Sequence, residues 1–258
     1  MAAILLDVDG VFHVSGEPIA GGGTAVARLR DAGHRLRFVT NSTTRSRAEL
    51  AEDLRELGIA LDDEELQTTP RAAAHALAGK RVLALTMAAI VPELEGVELV
   101  GEDAEAVLLG GADETDETGR VFSYTNLSRA FHELEGGAEL YCLHKNRWWQ
   151  TGMGPMLDAG AFVAGLEYAA GVDATILGKP SHAYFAAALE ALDADAEMTW
   201  MVGDDIDVDI AGAQQHGMKT VLVRTGKFRP DAVEAGRIRP DAILSSIAQL
   251  PEWLEEHR

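Results

Sequence analysis

The chain has 258 residues, of which 47% are hydrophobic, enough to bury the core of one large or two modest domains. Its 42 acidic residues outnumber its 22 basic residues and give a formal net charge of −20. A negative field of that size repels polyphosphate backbones and anionic lipid head groups, which argues against nucleic acid and membrane surfaces as partners.

Only 5 of the 22 basic residues are lysines. This acid-rich, lysine-poor surface is typical either of an ordinary acidic protein or of a protein from a halophile, in which salt screens the charges. If it is a salt adaptation, the midpoint of thermal unfolding should rise as potassium chloride approaches molar concentrations, because repulsion between carboxylates is screened. Circular dichroism melts across a salt series measure this, and an unchanged midpoint would speak against the adaptation.

The sequence predicts a cytoplasmic protein. Its one cysteine, Cys142, cannot form an intrachain disulfide. The N-terminus, MAAILLDVDG, lacks the basic start and the longer apolar stretch of a secretion signal. No run approaches the roughly 18 apolar residues of a membrane span.

In chain order, the first part alternates strand and helix. The apolar run Ala3 to Leu6 predicts a buried parallel strand, and the pattern of 21–32 predicts its crossover helix. A second strand is predicted at 35–39, a helix from Arg45 to Gly58, and a further helix that Thr69-Pro70 opens and that continues to Leu77.

The same alternation returns near the C-terminus, with strands at 175–177, 199–202 and 219–223 and helices at 181–192 and up to His216. Between these stretches lie strands at 81–85, 106–109 and 139–143 and helices at 126–134 and 160–170. We therefore predict an α/β protein with a discontinuous core, residues 1–79 and 174–258, and an inserted smaller α/β domain, residues 80–173.

Polar groups follow the first two strands. Asp7 and Asp9 lie where open parallel sheets place their ligand crevice, although Asp9-Gly10 could equally form an ordinary turn. Thr40, Asn41 and Ser42 could donate hydrogen bonds to phosphate oxygens or cap the next helix.

Charged groups follow two later strands. Lys179 supplies a compact positive charge, although a lone surface lysine is the simpler interpretation. Four carboxylates follow the predicted strand 199–202: Asp204, Asp205, Asp207 and Asp209. They would repel one another unless a hard cation lies among them. In so acidic a chain, however, they could also cluster by chance. Jointly, four strand ends supply a nucleophile, anion donors, a cation and metal ligands, as phosphoryl transfer to a carboxylate requires.

The ordered segments LLDVDGV, FVTNST, ILGKP and MVGDDIDVDI resemble the four motifs of haloacid dehalogenase-type phosphatases. The resemblance covers essentially the whole chain and indicates subfamily IIA, with a Rossmann-like three-layer core and a C2-type cap between the second and third motifs. Residues 122–131, 156–169 and 212–230 are similar to the branch that contains phospholysine phosphohistidine inorganic pyrophosphate phosphatase. Some members of that branch have Ser where this chain has Asp9.

This resemblance implies a magnesium-dependent phosphatase that hydrolyses small phosphomonoesters, or pyrophosphate or phosphoamides, through an aspartyl-phosphate intermediate. Asp7 would be the nucleophile and Asp9 the general acid and base. Mg²⁺ would be held by an oxygen of Asp7, the main-chain carbonyl of Asp9 and the carboxylate of Asp204. Asp205 and Asp209 would not contact the ion but would position the groups that do.

The resemblance also implies that Thr40, Asn41 and Lys179 bind the substrate phosphate. In the cap, a segment rich in cationic and aromatic groups is predicted to contribute to specificity: His144, Lys145 and Asn146, followed by Trp148 and Trp149. The two tryptophans could instead lie in the cap core or in the interface of a homodimer.

Three other functions stay open from sequence. A phosphomutase would use the same aspartyl-phosphate, and a receiver domain would combine similar groups in about half this length. A dehydrogenase is suggested by Gly21-Gly22-Gly23, but these glycines do not complete a dinucleotide fingerprint. Nor does Gly226-Lys227 complete a P-loop, and His13 and His216 are interpreted as non-catalytic.

Overall fold

The computed structural model describes residues 1–14, 16–151 and 154–257, without the side chains of 149–151, 154 and 155. The strands are β1 (Ala3–Asp7), β2 (His13–Val14), β3 (Glu17–Pro18), β4 (Arg35–Thr40), β5 (Leu66–Thr68), β6 (Arg81–Thr86), β7 (Glu98–Leu99), β8 (Ala106–Gly110), β9 (Glu139–Cys142), β10 (Trp148–Thr151), β11 (Gly154–Leu157), β12 (Thr175–Ile176), β13 (Thr199–Gly203), β14 (Lys219–Val223) and β15 (Ala242–Leu244). The α-helices are α1 (Gly22–Asp31), α2 (Arg47–Glu56), α3 (Thr69–Ala76), α4 (Asp116–Val121), α5 (Tyr124–Glu135), α6 (Ala159–Ala170), α7 (His182–Leu192), α8 (Gly212–Gln215), α9 (Pro230–Glu234) and α10 (Leu250–Glu256).

The chain divides into two compact units. The first unit comprises Met1–Thr40, Arg47–Gln67 and Lys179–Arg258, and the second comprises Asn41–Ser46 and Thr68–Gly178. The division groups the short segment after β4, and α3, with the middle of the chain. The sequence-based boundaries, which follow residue 79 and precede residue 174, stay a prediction.

The first unit is built on a sheet with the order β15-β14-β13-β1-β4-β5 among the described residues. β1 pairs in parallel with β13 and with β4, and β14 pairs in parallel with β13 and β15. All five residues of β1 are buried, as expected of a central strand covered on both faces. The carboxyl ends of β13, β1 and β4 therefore lie side by side.

Helices cover this sheet because their apolar residues recur at helical spacing. Val26 and Leu29 of α1 and Leu54 of α2 join Ile4 and Leu6 of β1 in one buried cluster. The helix α7 contacts β4, and a π-helical segment, Ile206–Ala211, contacts β13 and β14. The predicted α/β fold class is confirmed.

The second unit has its own parallel sheet, with the order β12-β9-β8-β6-β7 among the described residues. Residues of α5 and α6, such as Leu134 and Val163, form one buried cluster with Val107 and Leu109 of β8. Residues of α3 and the following turn form another with Leu108. Helices thus lie on both faces of this sheet, and β10 and β11 form a separate antiparallel hairpin.

One strand differs from its sequence-based interpretation. The pattern of 175–177 suggests a strand of the C-terminal α/β stretch, but Thr175 and Ile176 pair with Tyr141 and Cys142 in the sheet of the second unit. Two-residue strands carry too little pattern to reveal their partner, because pairing depends on tertiary contacts that local sequence does not encode. Among the described residues, no helix is long and apolar enough to cross a membrane.

Candidate active site

Three neighbouring strand ends place acidic and hydroxyl groups at one edge of the first sheet. Asp7 is the last residue of β1, Thr40 is the last residue of β4, and Asp204 directly follows β13. Because these strands are adjacent and parallel, their carboxyl ends meet at the crevice where open α/β sheets bind ligands. All three residues are buried.

Lys179 joins this group from the connection that precedes α7. Its Nζ donates hydrogen bonds to Oδ1 of Asp7 at 2.5 Å and to Oδ1 of Asp209 at 2.8 Å. All three side chains are at most 7% exposed, so these charge-assisted bonds lie out of reach of bulk water. One ammonium group therefore serves two buried carboxylates.

The protonation equilibria reflect this crowding. Burial, followed by repulsion from Asp209, raises the pKa of Asp7 well above its ordinary value. Burial opposes the charge of Lys179, but its two carboxylate partners, Asp209 and Asp7, raise its pKa. Lys179 is therefore positively charged at neutral pH, and its one charge is too little for all the carboxylates around it to ionise freely without a further cation.

The backbone of two glycines and of Lys227 packs closely against the carboxylate of Asp204. Its Oδ2 accepts a hydrogen bond from the main-chain N–H of Lys227 at 2.6 Å. Burial is the main reason that the pKa of Asp204 is raised to about 6. A Cβ atom on Gly10 or Gly226 would lie 1.8 Å or 2.0 Å from Oδ2 of Asp204, and both glycines have positive φ, so neither position accommodates a side chain.

The carboxylates of Asp7, Asp204 and Asp209 fit a divalent metal ion. Each offers an oxygen, and these oxygens lie within 4.8 Å of one another. Three carboxylates against the single charge of Lys179 leave a formal charge of −2, which one hard divalent cation would balance. In addition, Oδ1 of Asp209 accepts from Lys179 and Oδ2 accepts from the main-chain N–H of Asp205 at 3.2 Å. Asp7 and Asp204 are thus the better candidates for direct metal contact.

The remaining aspartates of the last motif have local partners. Oδ1 of Asp205 accepts from the N–H groups of Asp207 and Val208 at 3.0 and 3.1 Å and so caps the π-helical segment. Asp207 pairs with Arg229 at 2.8 Å in an exposed position. Neither residue contributes to the carboxylate cluster of the described residues.

Asp9 differs from Asp7 in its surroundings. Its side chain is 60% exposed, whereas that of Asp7 is buried against Lys179. Oδ2 of Asp9 accepts a hydrogen bond from Oγ1 of Thr40 at 3.4 Å, and Oδ1 lies 3.7 Å from Nε2 of His13. Two carboxylates that are two residues apart thus have different environments, which suits them to different chemical tasks.

The family of the chain follows from comparison with known proteins. Residues 4–100 match the family model of haloacid dehalogenase-like hydrolases, and residues 176–250 match a HAD-hydrolase-like model. The chain is 41% identical to the phospholysine phosphohistidine inorganic pyrophosphate phosphatase of Xenopus laevis over 88% of this chain and 85% of that protein. It belongs to the haloacid dehalogenase superfamily. It is also 36% identical to the bovine haloacid dehalogenase-like hydrolase domain-containing protein 2, over 89% of this chain and 86% of the relative.

Solved structures of haloacid dehalogenase-type phosphatases have the same fold. The p-nitrophenyl phosphatase of Archaeoglobus fulgidus superposes with a TM-score of 0.88 at 28% identity, covering 98% of both chains. A glycerol phosphate phosphatase of Mycobacterium tuberculosis in complex with calcium superposes with a TM-score of 0.83 at 29% identity, covering 96% of this chain and 74% of that one. The chain is a subfamily IIA phosphatase, a metal-dependent hydrolase.

Sequence reasoning missed several supporting residues of this haloacid dehalogenase-type site. The buried hydroxyl of Tyr184 accepts from the main-chain N–H of Thr40 and can donate to its carbonyl oxygen, both at 2.9 Å, which fixes the end of β4. Gly226 and Lys227, which do not complete a P-loop, lie against the carboxylate of Asp204 instead. One sequence signal could have revealed them: Gly226 and Lys227 follow the apolar strand 219–223 after only two residues, Arg224 and Thr225.

The cap residues predicted to govern specificity have partners inside the second unit. His144 is buried, and its Nε2 lies 3.0 Å from Oγ1 of Thr43. Nζ of Lys145 lies 2.6 Å from Oε2 of Glu167. Asn146 is exposed, and the side chain of Trp148 is 55% exposed, whereas the side chain of Trp149 lies outside the described residues. Contact of these residues with substrate stays a prediction.

Proposed function

We propose that this phosphatase is magnesium-dependent and cleaves small phosphorylated metabolites through an aspartyl-phosphate formed on Asp7. The observation that carries the proposal is the pairing of Asp7 with Lys179 beside Asp204, at the end of β1. Asp7 is buried, charged groups surround it, and the exposed Asp9 follows two residues later. These are the groups that nucleophilic attack on phosphorus requires.

In the first step, an oxygen of Asp7 attacks phosphorus, and the bond from phosphorus to the leaving oxygen breaks. Asp9 in its protonated form gives its proton to that leaving oxygen. Because the Asp9 side chain is 60% exposed, it can reach the substrate and exchange protons with water. Lys179, held between two carboxylates, offers its positive charge to the phosphoryl oxygens.

In the second step, Asp9 as a carboxylate takes a proton from water, which attacks the phosphorus of the aspartyl-phosphate. The bond to Asp7 breaks, inorganic phosphate leaves, and Asp9 is again protonated for the next turnover. A positioned acid and base of this kind contributes about 10²–10⁴-fold to the rate. Thr40 and Asn41 are proposed to orient the phosphate oxygens during both steps.

We propose that Mg²⁺ is held by an oxygen of Asp7, the main-chain carbonyl of Asp9 and Asp204. When bound there, a magnesium ion would neutralise charge on the phosphoryl oxygens and on the attacking carboxylate. Asp209 supports this arrangement by orienting Lys179, and Asp205 supports it by capping the segment that carries Asp209. The net charge of −2 among the buried groups supports a divalent ion.

The substrate is proposed to be a small phosphomonoester, with pyrophosphate and phosphoamides as further candidates. The names of relatives support this range, since they include phospholysine, phosphohistidine, inorganic pyrophosphate, p-nitrophenyl phosphate and glycerol phosphate. Asp9 favours esters, because an alkoxide leaving group needs a proton more than a good leaving group does. In this proposal residues 1–79 and 174–258 are the catalytic core, and residues 80–173 are a C2-type cap that selects the substrate.

We also propose a cytoplasmic homodimer, with no nucleic acid or membrane partner. The solvent side of α6 supports pairing, because Ala164, Gly165, Tyr168 and Ala169 are exposed there and carry no charge. Two copies with a net charge of −20 each repel one another, so an uncharged surface is where they can meet. The buried, free thiol of Cys142 is consistent with a reducing compartment.

A substrate panel tests the function. Wild-type protein should release phosphate from p-nitrophenyl phosphate, several sugar and nucleoside phosphomonoesters, or pyrophosphate, and release should depend on added magnesium. The measurement is inorganic phosphate formed, at low and at high potassium chloride. Release that is unaffected by a chelator would contradict the metal role, and retained phosphate with an isomerised product would indicate a mutase.

A further inference from the structure

We infer that His144 is a positioning residue, which holds the phosphate-binding turn 41–46 through the hydroxyl of Thr43 and does not contact the substrate. The inference deepens the proposed function and rests on it, because Asn41 of this turn is proposed to bind the substrate phosphate. It assigns a role in the phosphate subsite to a residue of the cap sequence.

The turn is held by contacts within the second unit. Asn41–Ser46 belongs to that unit although it directly follows Thr40, the last residue of β4. Oγ1 of Thr69 donates a hydrogen bond to Oδ1 of Asn41 at 3.1 Å. A Cβ atom on Gly111 would lie 2.5 Å from the carbonyl oxygen of Thr43, so this backbone approaches the turn closely. The turn therefore depends on the second unit for its shape.

The hydrogen bonds of His144 define its tautomer. The main-chain N–H of Asn146 donates to Nδ1 at 3.4 Å, so this nitrogen carries no proton. The proton of the neutral ring is then on Nε2, which lies 3.0 Å from Oγ1 of Thr43 and donates to it. Oδ1 of Asp158 lies 3.7 Å from the same Nε2 and favours the N–H at that position.

The protein occupies both nitrogens of this ring. Nδ1 accepts from the N–H of Asn146 and Nε2 lies at the hydroxyl of Thr43, so neither is left to bind a substrate group, and Thr43, His144 and Asp158 are only 4%, 5% and 6% exposed. Burial also lowers the pKa of His144, against the opposing effect of Asp158, which keeps the ring neutral. The ring thus acts as a fixed hydrogen-bond donor.

The segment that carries His144 is fastened at both sides. The N–H of Gly160 donates to the carbonyl oxygen of Asn146 at 3.0 Å, and a Cβ atom on Gly160 would lie 2.3 Å from that oxygen. Nζ of Lys145 donates a hydrogen bond to Oε1 of Glu167 in α6 at 2.7 Å. Asp158 caps α6 through the N–H of Ala159 at 2.7 Å. The imidazole therefore has a rigid base from which to hold Thr43.

Removing the Nε2–H donor should loosen the turn and weaken phosphate binding. Binding of the metal should not change, since Asp7, Asp204 and Asp209 all belong to the first unit. A loss of folding alone would lower the active fraction and hence kcat, and it would leave KM as it was. The inference thus predicts a pattern of kinetic constants that a purely structural role does not produce.

The experiment compares His144→Leu, His144→Gln and Thr43→Val, with His132→Leu and His132→Gln at an exposed histidine of α5 as matched controls. The probes are KM for p-nitrophenyl phosphate, Ki or calorimetric Kd for inorganic phosphate, and the magnesium activation constant. For His144→Leu and Thr43→Val we expect KM and the phosphate constant to rise about tenfold, the usual cost of one lost hydrogen bond. His144→Gln should restore most of this loss, because its amide can donate from a similar position.

The double variant provides the decisive comparison. Because Thr43→Val and His144→Leu break the same hydrogen bond, their effects together should not exceed either one alone. Effects that multiply, or an unchanged phosphate constant in both single variants, would overturn the inference. A change in KM that depends on the leaving group, at constant phosphate affinity, would instead make His144 a substrate contact. Calorimetry measures phosphate binding without turnover. If wild type binds phosphate but does not hydrolyse any substrate, the proposed function fails while the inference about His144 can still be tested.

Discussion

Asp7→Asn should lower the rate of phosphate release by more than about a thousandfold, because the amide cannot form the phosphorylated intermediate. The variant keeps the size of the side chain and removes one negative charge from a site with three buried carboxylates and one lysine. Stability should therefore be preserved or increased, since burial and repulsion oppose ionisation of Asp7. The measurement is single-turnover and steady-state phosphate release, beside thermal unfolding of the same samples.

Two further variants make this test specific. Asp31→Asn removes a charge from an exposed position at the end of α1 in the same unit, and it should leave turnover unchanged. Lys179→Met should also reduce turnover sharply, but with a loss of stability, because Asp7 and Asp209 lose their buried cationic partner. Turnover by Asp7→Asn within tenfold of wild type would exclude Asp7 as the nucleophile.

Asp204→Asn should change the way in which stability depends on pH in metal-free protein. The pKa of Asp204 is about 6 in the folded protein, above its ordinary value of 3.8, chiefly because the group is buried. Between these values the folded state binds more protons than the unfolded state, so the contribution of Asp204 is lost as pH rises through about 6. Two pKa units correspond to about 3 kcal/mol of unfolding free energy.

The free energy of unfolding of the variant should therefore rise by about 3 kcal/mol relative to that of wild type when the pH of a chelator-containing buffer is raised from about 4 to about 7.5. Urea unfolding at a series of pH values measures the difference, and asparagine keeps an acceptor for the N–H of Lys227. Magnesium at neutral pH should stabilise wild type much more than the variant, since the ion binds the folded state through the lost carboxylate. A difference independent of both pH and magnesium would contradict the assignment of Asp204.

The parts of the site that the sequence predicted are those that end a strand of the first sheet. Asp7, Thr40 and Asp204 each follow a strongly apolar strand, and parallel strands bring their carboxyl ends together whatever the remaining sequence is. Lys179 was predicted for a reason that the structure corrects. It follows β12, which pairs in the sheet of the second unit, so its meeting with Asp7 does not come from neighbouring strands of one sheet.

Contacts that depend on packing could not be predicted. The hydroxyl of Tyr184 lies at Thr40 only because α7 crosses β4, 144 residues apart in the chain. His144 stands in a polar segment with Lys145, and this polarity gave no sign that tertiary structure buries the ring against Thr43. Burial is a property of the assembled fold, and one exposed-looking segment of sequence does not reveal it.

The two glycines that enclose Asp204 impose a constraint on how this sequence can change. Gly10 and Gly226 come from distant parts of the chain, yet each is within reach of the same carboxylate oxygen and each has a backbone conformation that other residues rarely adopt. Any side chain at either position must push Asp204 out of place. Substitution of either glycine is therefore expected to displace a carboxylate of the site, although neither glycine has a side chain of its own.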